Sequence, residues 1–289
     1  MAGIVLALLA AATYGASDFF GGLSSRRAPV PVILFYSQLA SVAPLVIALL
    51  LLPAAHATGA DYGWGAAAGL ISLLGMSLLY LSLAVGPMSV AAPVTAVCVA
   101  VLPTAAGLAL GERLSAQTLA GLVLGIGGVG LISLGPRQQG SHAAPAGRVI
   151  PVAAGAGACL GAFFIVLSRT SPGSGLLPLL ATRAVTVGIL GSLAGARMIR
   201  ARSRSAARVP RPARVAMISA GVLDMTGNFF YVFAVRHGPL AVIAVITALY
   251  PAATVLLAWA VLRERLSLAQ GLGTGAAMAC VSLLALSRA

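Results

Sequence analysis

Apolar residues in this chain fall in long blocks, without the period of two that marks a half-buried strand. Ten blocks can be drawn, over 4–22, 32–52, 64–85, 90–110, 116–134, 149–168, 176–194, 215–235, 240–262 and 268–286. A helix rising 1.5 Å per residue crosses a hydrocarbon core of about 30 Å in roughly 20 residues, which is the length of these blocks. Helices are the expected form, because lipid offers the backbone no partners and barrel strands would alternate polar with apolar. The pattern predicts an all-α polytopic membrane protein with ten transmembrane helices. Pro44, Pro93, Pro103 and Pro251 lie inside blocks and predict kinks or local breaks in backbone pairing. Gly65/Gly69, Gly121/Gly125, Gly157/Gly161 and Gly271/Gly275 are spaced to give small faces for close helix approach.

The stretch 86–115 recurs at 238–267, an offset of 152 with 13 of 30 positions identical and no gap. The shared ends, Gly-Pro at the start and Glu-Arg-Leu-Ser at the finish, use letters that are rare in apolar sequence. The chain therefore reads as two copies of one unit: 1–134 with five helices, a polar linker 135–148, and 149–289 with five more. An odd number of crossings makes the second copy enter from the opposite side. Two inverted five-helix repeats are a hallmark of secondary transporters, whose substrate site lies near the midplane between the halves.

Composition agrees with membrane embedding: 60% of residues are apolar, 8% are charged and the mean hydropathy is +1.04. The net charge of +13 comes from 18 arginines and no lysine. Because these arginines sit between apolar blocks, they read as a topology signal and not as a nucleic-acid footprint. Thirteen flank the odd-numbered loops, namely Arg26, Arg27, Arg137, Arg148, seven in 197–214, Arg263 and Arg265. Four (Arg113, Arg169, Arg236 and Arg288) flank the other side. This balance puts loop 197–214 in the cytoplasm, where it can also meet anionic headgroups, and both termini outside. Cys98, Cys159 and Cys280 lie inside blocks, and His56, His142 and His237 are scattered, so neither a disulfide framework nor a metal site is indicated. No cofactor is expected.

Charge within the blocks is scarce and so informative. A carboxylate at a helix centre costs about 2.5–3.5 kcal/mol on insertion scales, which marks it as a functional candidate. Asp224 is the tenth residue of its block, with Asn228 and Tyr231 on the same face. It is either a cavity acid or half of a buried structural ion pair with Arg183. Asp18 and Tyr14 lie one turn apart, and Asp18 is either a cavity acid or an interfacial anchor. Thr95 and Thr247 match across the copies, with Tyr250 beside the second; such threonines either line a cavity or bond their own backbone. Asp224 and Asn228 align with Ser72 and Met76, and Asp18 aligns near Phe164, so the polar groups are asymmetric on a symmetric scaffold. Glu112, Arg113, Glu264 and Arg265 end blocks just before Ser115 and Ser267 and read as turn residues. Ser267 and Gln270 have capping-box spacing.

The motif Gly111-Glu112-Arg113-Leu114-Ser115, with Gln117 and Gly121 after it, resembles the EamA repeat of the drug/metabolite transporter superfamily. So does Tyr250-Pro251 with Glu264-Arg265-Leu266-Ser267, Gln270 and Gly273 in the second copy. The start, Tyr14-Gly15-Ala16-Ser17-Asp18-Phe19-Phe20-Gly21-Gly22, is similar to that family's first helix with Tyr in place of Trp. Arg183 falls where the family often has Arg, and Gln38 stands at that place in the first copy. The resemblance spans essentially the whole chain and implies a cytoplasmic-membrane carrier of small metabolites or drug-like compounds working by alternating access. It also implies cytoplasmic termini, against the arginine balance followed here.

Tyr14, Asp18, Gln38, Arg183, Asp224, Asn228, Tyr231, Thr247 and Tyr250 are the expected substrate-binding residues. The expected activity is export, proton-coupled if either aspartate titrates, by a protein that is monomeric or weakly dimeric and is no enzyme. Its partners are a small-molecule substrate and membrane lipid. Two rivals remain at this point: a passive channel on the same fold, and an intramembrane enzyme acting on lipids.

Overall fold

A computed structural model describes residues 1–25, 28–52, 56–85, 88–133, 146–200, 210–262 and 267–286. These residues form α1 (Ala2–Ser25), α2 (Val30–Ala40), α3 (Val42–Leu51), α4 (Gly59–Val85), α5 (Met88–Ala109) and α6 (Ala116–Ser133) in the first half. The second half holds α7 (Ala146–Ser168), α8 (Leu177–Arg200), α9 (Arg211–Val235), α10 (Leu240–Thr247), α11 (Tyr250–Leu262) and α12 (Leu268–Leu286). A single 3-10 turn, Pro172–Ser174, lies between α7 and α8, and no strand occurs among the described residues. The described residues make an all-helical fold. Among the described residues, six segments are long and apolar enough to cross a membrane, two of them uniting α2 with α3 and α10 with α11. Four more, Val94–Ala109, Ala116–Ile132, Leu177–Leu193 and Leu268–Leu284, are apolar but shorter.

Of Pro44, Pro93, Pro103 and Pro251, two stand at a helix interruption. Pro44 lies in the first turn of α3 and deprives the carbonyl of Ala40, the last residue of α2, of its donor. Pro251 does the same to Thr247, the last residue of α10. Ser41 and Ala248 turn the chain at these breaks, and both are fully buried. Pro93 and Pro103 behave differently, since α5 runs through both without interruption. A lone proline removes one intrahelical bond, and the rest of a long helix can absorb that loss.

Helices choose partners in the other half of the chain. α1 packs on α9, α10 and α11; its counterpart α7 packs on α4 and α5. α2 lies on α9 as α8 lies on α4, while α6 and α12 pair with each other. This exchange is the mark of a pseudo-two-fold arrangement, and glycines make it close. A Cβ added at Gly221 would run into the backbone of Ser37, and one at Gly69 into Thr182; the two glycines are 152 positions apart. Gly15 meets Tyr250 and Ala253 of α11, as Gly157 meets Thr95 and Cys98 of α5. Hydroxyls reinforce both seams: Thr254 donates to the Gly15 carbonyl (2.9 Å) and Thr95 to the Ala153 carbonyl (3.1 Å). In lipid, such association rests on dispersion and hydrogen bonds, because exposed and buried apolar surface have similar surroundings.

One expected glycine face is corrected. Gly271 and Gly275 have open space where a Cβ would go, whereas Gly273 abuts Ile132 and Gly128 of α6. The contact face of α12 is thus turned away from the pair that simple spacing selects. Gly65/Gly69 and Gly157/Gly161 do lie at close helix seams, and Gly125 leaves room for Val245 and Cys280.

Candidate functional site

The middle of the bundle holds a polar cluster contributed by α1, α2, α8 and α9. Arg183 of α8 forms an ion pair with Asp224 of α9 at 2.6 Å. Its other terminal nitrogen donates to the side-chain oxygen of Gln38 on α2, which also accepts from the Thr186 hydroxyl at 3.2 Å. Gln38 and Arg183 thus meet across the α2–α8 contact. Asn228, one turn after Asp224, donates to the Asp224 carbonyl (2.8 Å) and side chain (3.3 Å).

This ion pair is not sealed. The Arg183 side chain is 5% exposed, but that of Asp224 is 35% exposed. A pair serving structure alone is expected to be closed on both sides, because desolvation is offset only when every lone pair and proton is satisfied. Several groups here are not satisfied. Among the described residues, Arg183 Nε, Asn228 Oδ1, the Tyr14 hydroxyl and the Thr247 hydroxyl are buried without a hydrogen-bond partner. Three of these four atoms (Arg183 Nε, Asn228 Oδ1 and the Tyr14 hydroxyl) lie on or beside the ion pair.

α1 brings two residues to this place. The Tyr14 ring lies over Gly227, where a Cβ would approach the ring at 2.8 Å, and its hydroxyl interacts electrostatically with Asp224 and Arg183. Gly227 was not visible as a site residue in the sequence. Its signal is the absence of a side chain between Asp224 and Asn228, on the helix that also carries both. Asp18, one turn after Tyr14, is exposed and makes no ion pair or side-chain hydrogen bond among the described residues. It interacts electrostatically with Asp224 and Tyr250.

The remaining candidates sit around this cluster with different surroundings. Tyr231 is fully buried, donates its hydroxyl to the Phe164 carbonyl at 2.8 Å, and stacks on the Phe164 ring at 4.4 Å. Phe164, which aligns near Asp18, also meets Tyr14 at 6.0 Å, so a short aromatic column backs the polar groups. Thr247 is fully buried at the α10–α11 break, and Tyr250 begins α11 half-buried. The break therefore sets one orphaned hydroxyl and one tyrosine next to each other.

A second polar layer closes one end of the bundle, formed by the segments 56–59, 110–115, 169–176 and 236–239. Asp61, 3% exposed, accepts from the Thr58 N–H and hydroxyl (both 2.8 Å) and from the Ser171 N–H (2.7 Å) and hydroxyl (3.0 Å). The His56 N–H donates to the Gly173 carbonyl at 3.0 Å. Arg236 donates to the carbonyls of Ser171 (3.3 Å) and Gly175 (2.8 Å) and to the Ser174 hydroxyl (3.3 Å). Sequence reasoning passed over Asp61 as part of a connection. Its signal was present in Thr58-x-x-Asp61 ahead of an apolar run, the spacing of a helix-start capping box.

The turn candidates separate into two described and two undescribed residues. Glu112 is half-buried, and its carboxylate accepts from the Leu240 and Ala241 (3.0 Å) N–H groups at the start of α10, in the other half of the chain. Gly111, at φ +91°, makes this turn, a backbone form that side-chained residues rarely adopt. Gly107 gives the carboxylate room. The second copy carries Trp259 and Arg263 at those two places. Arg113 is exposed; Glu264 and Arg265 lie outside the described residues, as does most of the linker 135–148. Ser115 accepts from the Thr118 N–H at 3.1 Å, and Ser267 and Gln270 exchange hydrogen bonds at 3.0 and 3.2 Å, as their spacing predicts. A cavity of about 200 Å³ lies beside Glu112 between Leu110, Arg169 and Gly238, at this end and away from the central cluster.

No protein of curated function matches the chain. A solved crystal structure matches it at a TM-score of 0.73 and 17% identity, covering 99% of this chain and 97% of that one. That likeness concerns the fold. The family described as EamA-like transporters matches twice, over residues 1–134 and 148–286. Two matches that together take in nearly every residue, on a helical bundle whose halves exchange partners, mean that this chain belongs to the EamA-like transporter family.

Proposed function

We propose that the protein is a secondary carrier that moves a small molecule across the cytoplasmic membrane by alternating access. In this reading ten crossings form two inverted five-helix repeats, 1–134 and 149–289, joined by the linker 135–148. The observation that supports it most is the half-open Arg183–Asp224 pair between α8 and α9, flanked by orphaned polar atoms. Interrupted helices near a midplane site are a recurrent device of carriers, because they free backbone groups for ligand and let half-helices move separately. Tyr14, Asp18, Gln38, Arg183, Asp224, Asn228 and Tyr250 are the proposed lining. Tyr231, Thr247 and the turn residues Glu112, Arg113, Glu264 and Arg265 set its walls and ends.

The end carrying Asp61, Arg236 and Glu112 is latched, while the opposite end bears the arginine-rich segments. By the arginine balance the latched end faces outward, so the arrangement is the inward-facing state with both termini outside. A C-terminal fusion to a periplasmically active reporter is expected to be active. Activity only with a cytoplasmic reporter overturns this orientation.

The carrier reading is tested by counterflow in reconstituted vesicles, using a substrate selected by comparing metabolites in medium and cytoplasm of overproducing cells. Saturable uptake, accelerated by unlabelled substrate on the far side, is the expected result. Flux linear in concentration with no acceleration indicates a passive channel and overturns it.

A further inference from the structure

The face of α9 that carries the ion pair continues toward the latched end. Asp224, Asn228, Tyr231 and Val235 follow one another at intervals of four, three and four residues, so they stack along one side of the helix over about 16 Å. The first two belong to the central cluster, and Val235 lines the cavity beside Glu112. Tyr231 stands between them. α7 repeats this order, with Phe164 one turn before Ser168, which lines the same cavity.

At that level the bundle is closed by rings. Phe164 and Tyr231 stack with centroids 4.4 Å apart, and the Tyr231 hydroxyl donates to the Phe164 carbonyl at 2.8 Å. Both are buried, and Tyr14 lies on Phe164 at 6.0 Å. Toward the centre the Asp224 side chain is partly open; toward the latched end the cavity of about 200 Å³ opens beside the exposed Arg169. A continuous core is close-packed throughout, whereas a sealed layer with room on either side is a barrier. Its ties are also of a kind that can part. α7 packs chiefly on α4 and α5, and α9 on α1 and α2, so the ring pair joins helices whose main partners differ. One stack and one neutral hydrogen bond can be broken and remade when such helices tilt.

Building on the carrier reading, we infer that Phe164 and Tyr231 form the inner gate between the central site and the latched end, and that the cavity beside Glu112 is the vestibule into which this gate opens. Opening separates α7 from α9 at the ring pair and joins the two spaces. Closing restores the stack and the Tyr231 hydrogen bond. The polar layer of Arg236 and Glu112 then forms the outer closure of the same path.

The test reads from which face a thiol in the central site can be reached. The full chain, with Cys98, Cys159 and Cys280 replaced by alanine, carries Arg183→Gln/Asp224→Cys as the reporter. Right-side-out and inside-out membrane vesicles are treated with the impermeant reagent 2-(trimethylammonio)ethyl methanethiosulfonate. A separate Arg169→Cys protein, labelled at the latched end, tells which preparation presents that end. With the rings intact, the reporter is expected to react about tenfold or more slowly from the latched face than from the opposite one. Phe164→Ala is expected to raise the latched-face rate about tenfold, and Tyr231→Phe about fivefold, the population shift that follows from one lost neutral hydrogen bond. A purely structural role lowers the melting temperature and leaves this sidedness unchanged. The inference falls if folded Phe164→Ala keeps the slow latched-face rate. Should Phe164→Ala not fold, Tyr231→Phe, which keeps the ring, decides in the same way. Equal rates from both faces with the rings intact remove the gate and favour the passive channel. Labelling from the opposite face alone in every folded protein removes the gate and leaves the carrier standing. The expected labelling together with linear, unaccelerated flux supports the barrier and removes the carrier.

Discussion

Asp224→Ala is expected to lower the amount of folded protein sharply, with a loss of about 3 kcal/mol. The cause is the Arg183 guanidinium, which is 5% exposed and keeps only Gln38 once its carboxylate has gone. Removing one member of a buried pair costs about 3–5 kcal/mol because the other charge stays behind; the 35% exposure of Asp224 places this site at the low end. The double variant Arg183→Gln/Asp224→Asn removes both charges and keeps polar groups facing Gln38 and Asn228. It is expected to regain stability to within about 1 kcal/mol of wild type, since neutral replacements of buried pairs are often tolerated. Transport is expected to be absent in both variants. Comparing melting temperatures with vesicle uptake for the three proteins separates the outcomes. A double variant that transports normally would show that the pair only holds helices together.

The second large effect concerns backbone, not charge. Gly221→Ala places a methyl group against the Ser37 carbonyl of α2, and neither helix has a flexible side chain at that point to give way. Overpacking of this kind costs about 1–3 kcal/mol and more when backbone is the obstacle. Displacing α2 also moves Gln38, the next residue, away from Arg183. Both stability and transport are therefore expected to fall, and thermal unfolding of the purified variant reads the first directly. Gly21→Ala is the control: no atom lies within 4 Å of the added methyl, and alanine favours the helix. Its melting temperature is expected to equal or exceed that of wild type. Equal melting temperatures for Gly221→Ala and wild type would mean that the α2–α9 seam is looser than the geometry implies.

The sequence carried the features that depend on a single segment. Block lengths located the helices, the 152-residue offset located the second copy, and Asp224 was conspicuous as a carboxylate in apolar surroundings. Capping pairs such as Ser267 with Gln270 followed from spacing, because both partners lie within one turn. Features that depend on partner choice were harder to read. Nothing in the apolar letters of α12 tells that Gly273, and not Gly271 or Gly275, is the residue beneath α6. Helix pairing in lipid rests on shape at the ångström scale, to which hydropathy is blind. Gln38 and Arg183 were each conspicuous as polar residues within apolar blocks, but their contact required the fold. Prolines show the same limit, since Pro44 and Pro251 stand at helix breaks while α5 runs unbroken through Pro93 and Pro103.

The exchange of partners between halves has a consequence for how the protein is made. Ser17 donates to the carbonyl of Ala220, 203 residues later, and α1 finds its main neighbours only in α9, α10 and α11. At synthesis rates of about 5–20 residues per second, α1 waits roughly 10–40 s in the bilayer before that surface exists. Its glycine-lined flank faces lipid or the insertion machinery throughout. α1 must therefore persist as an inserted helix without its main partners, and the folded bundle closes only when the ribosome has nearly finished.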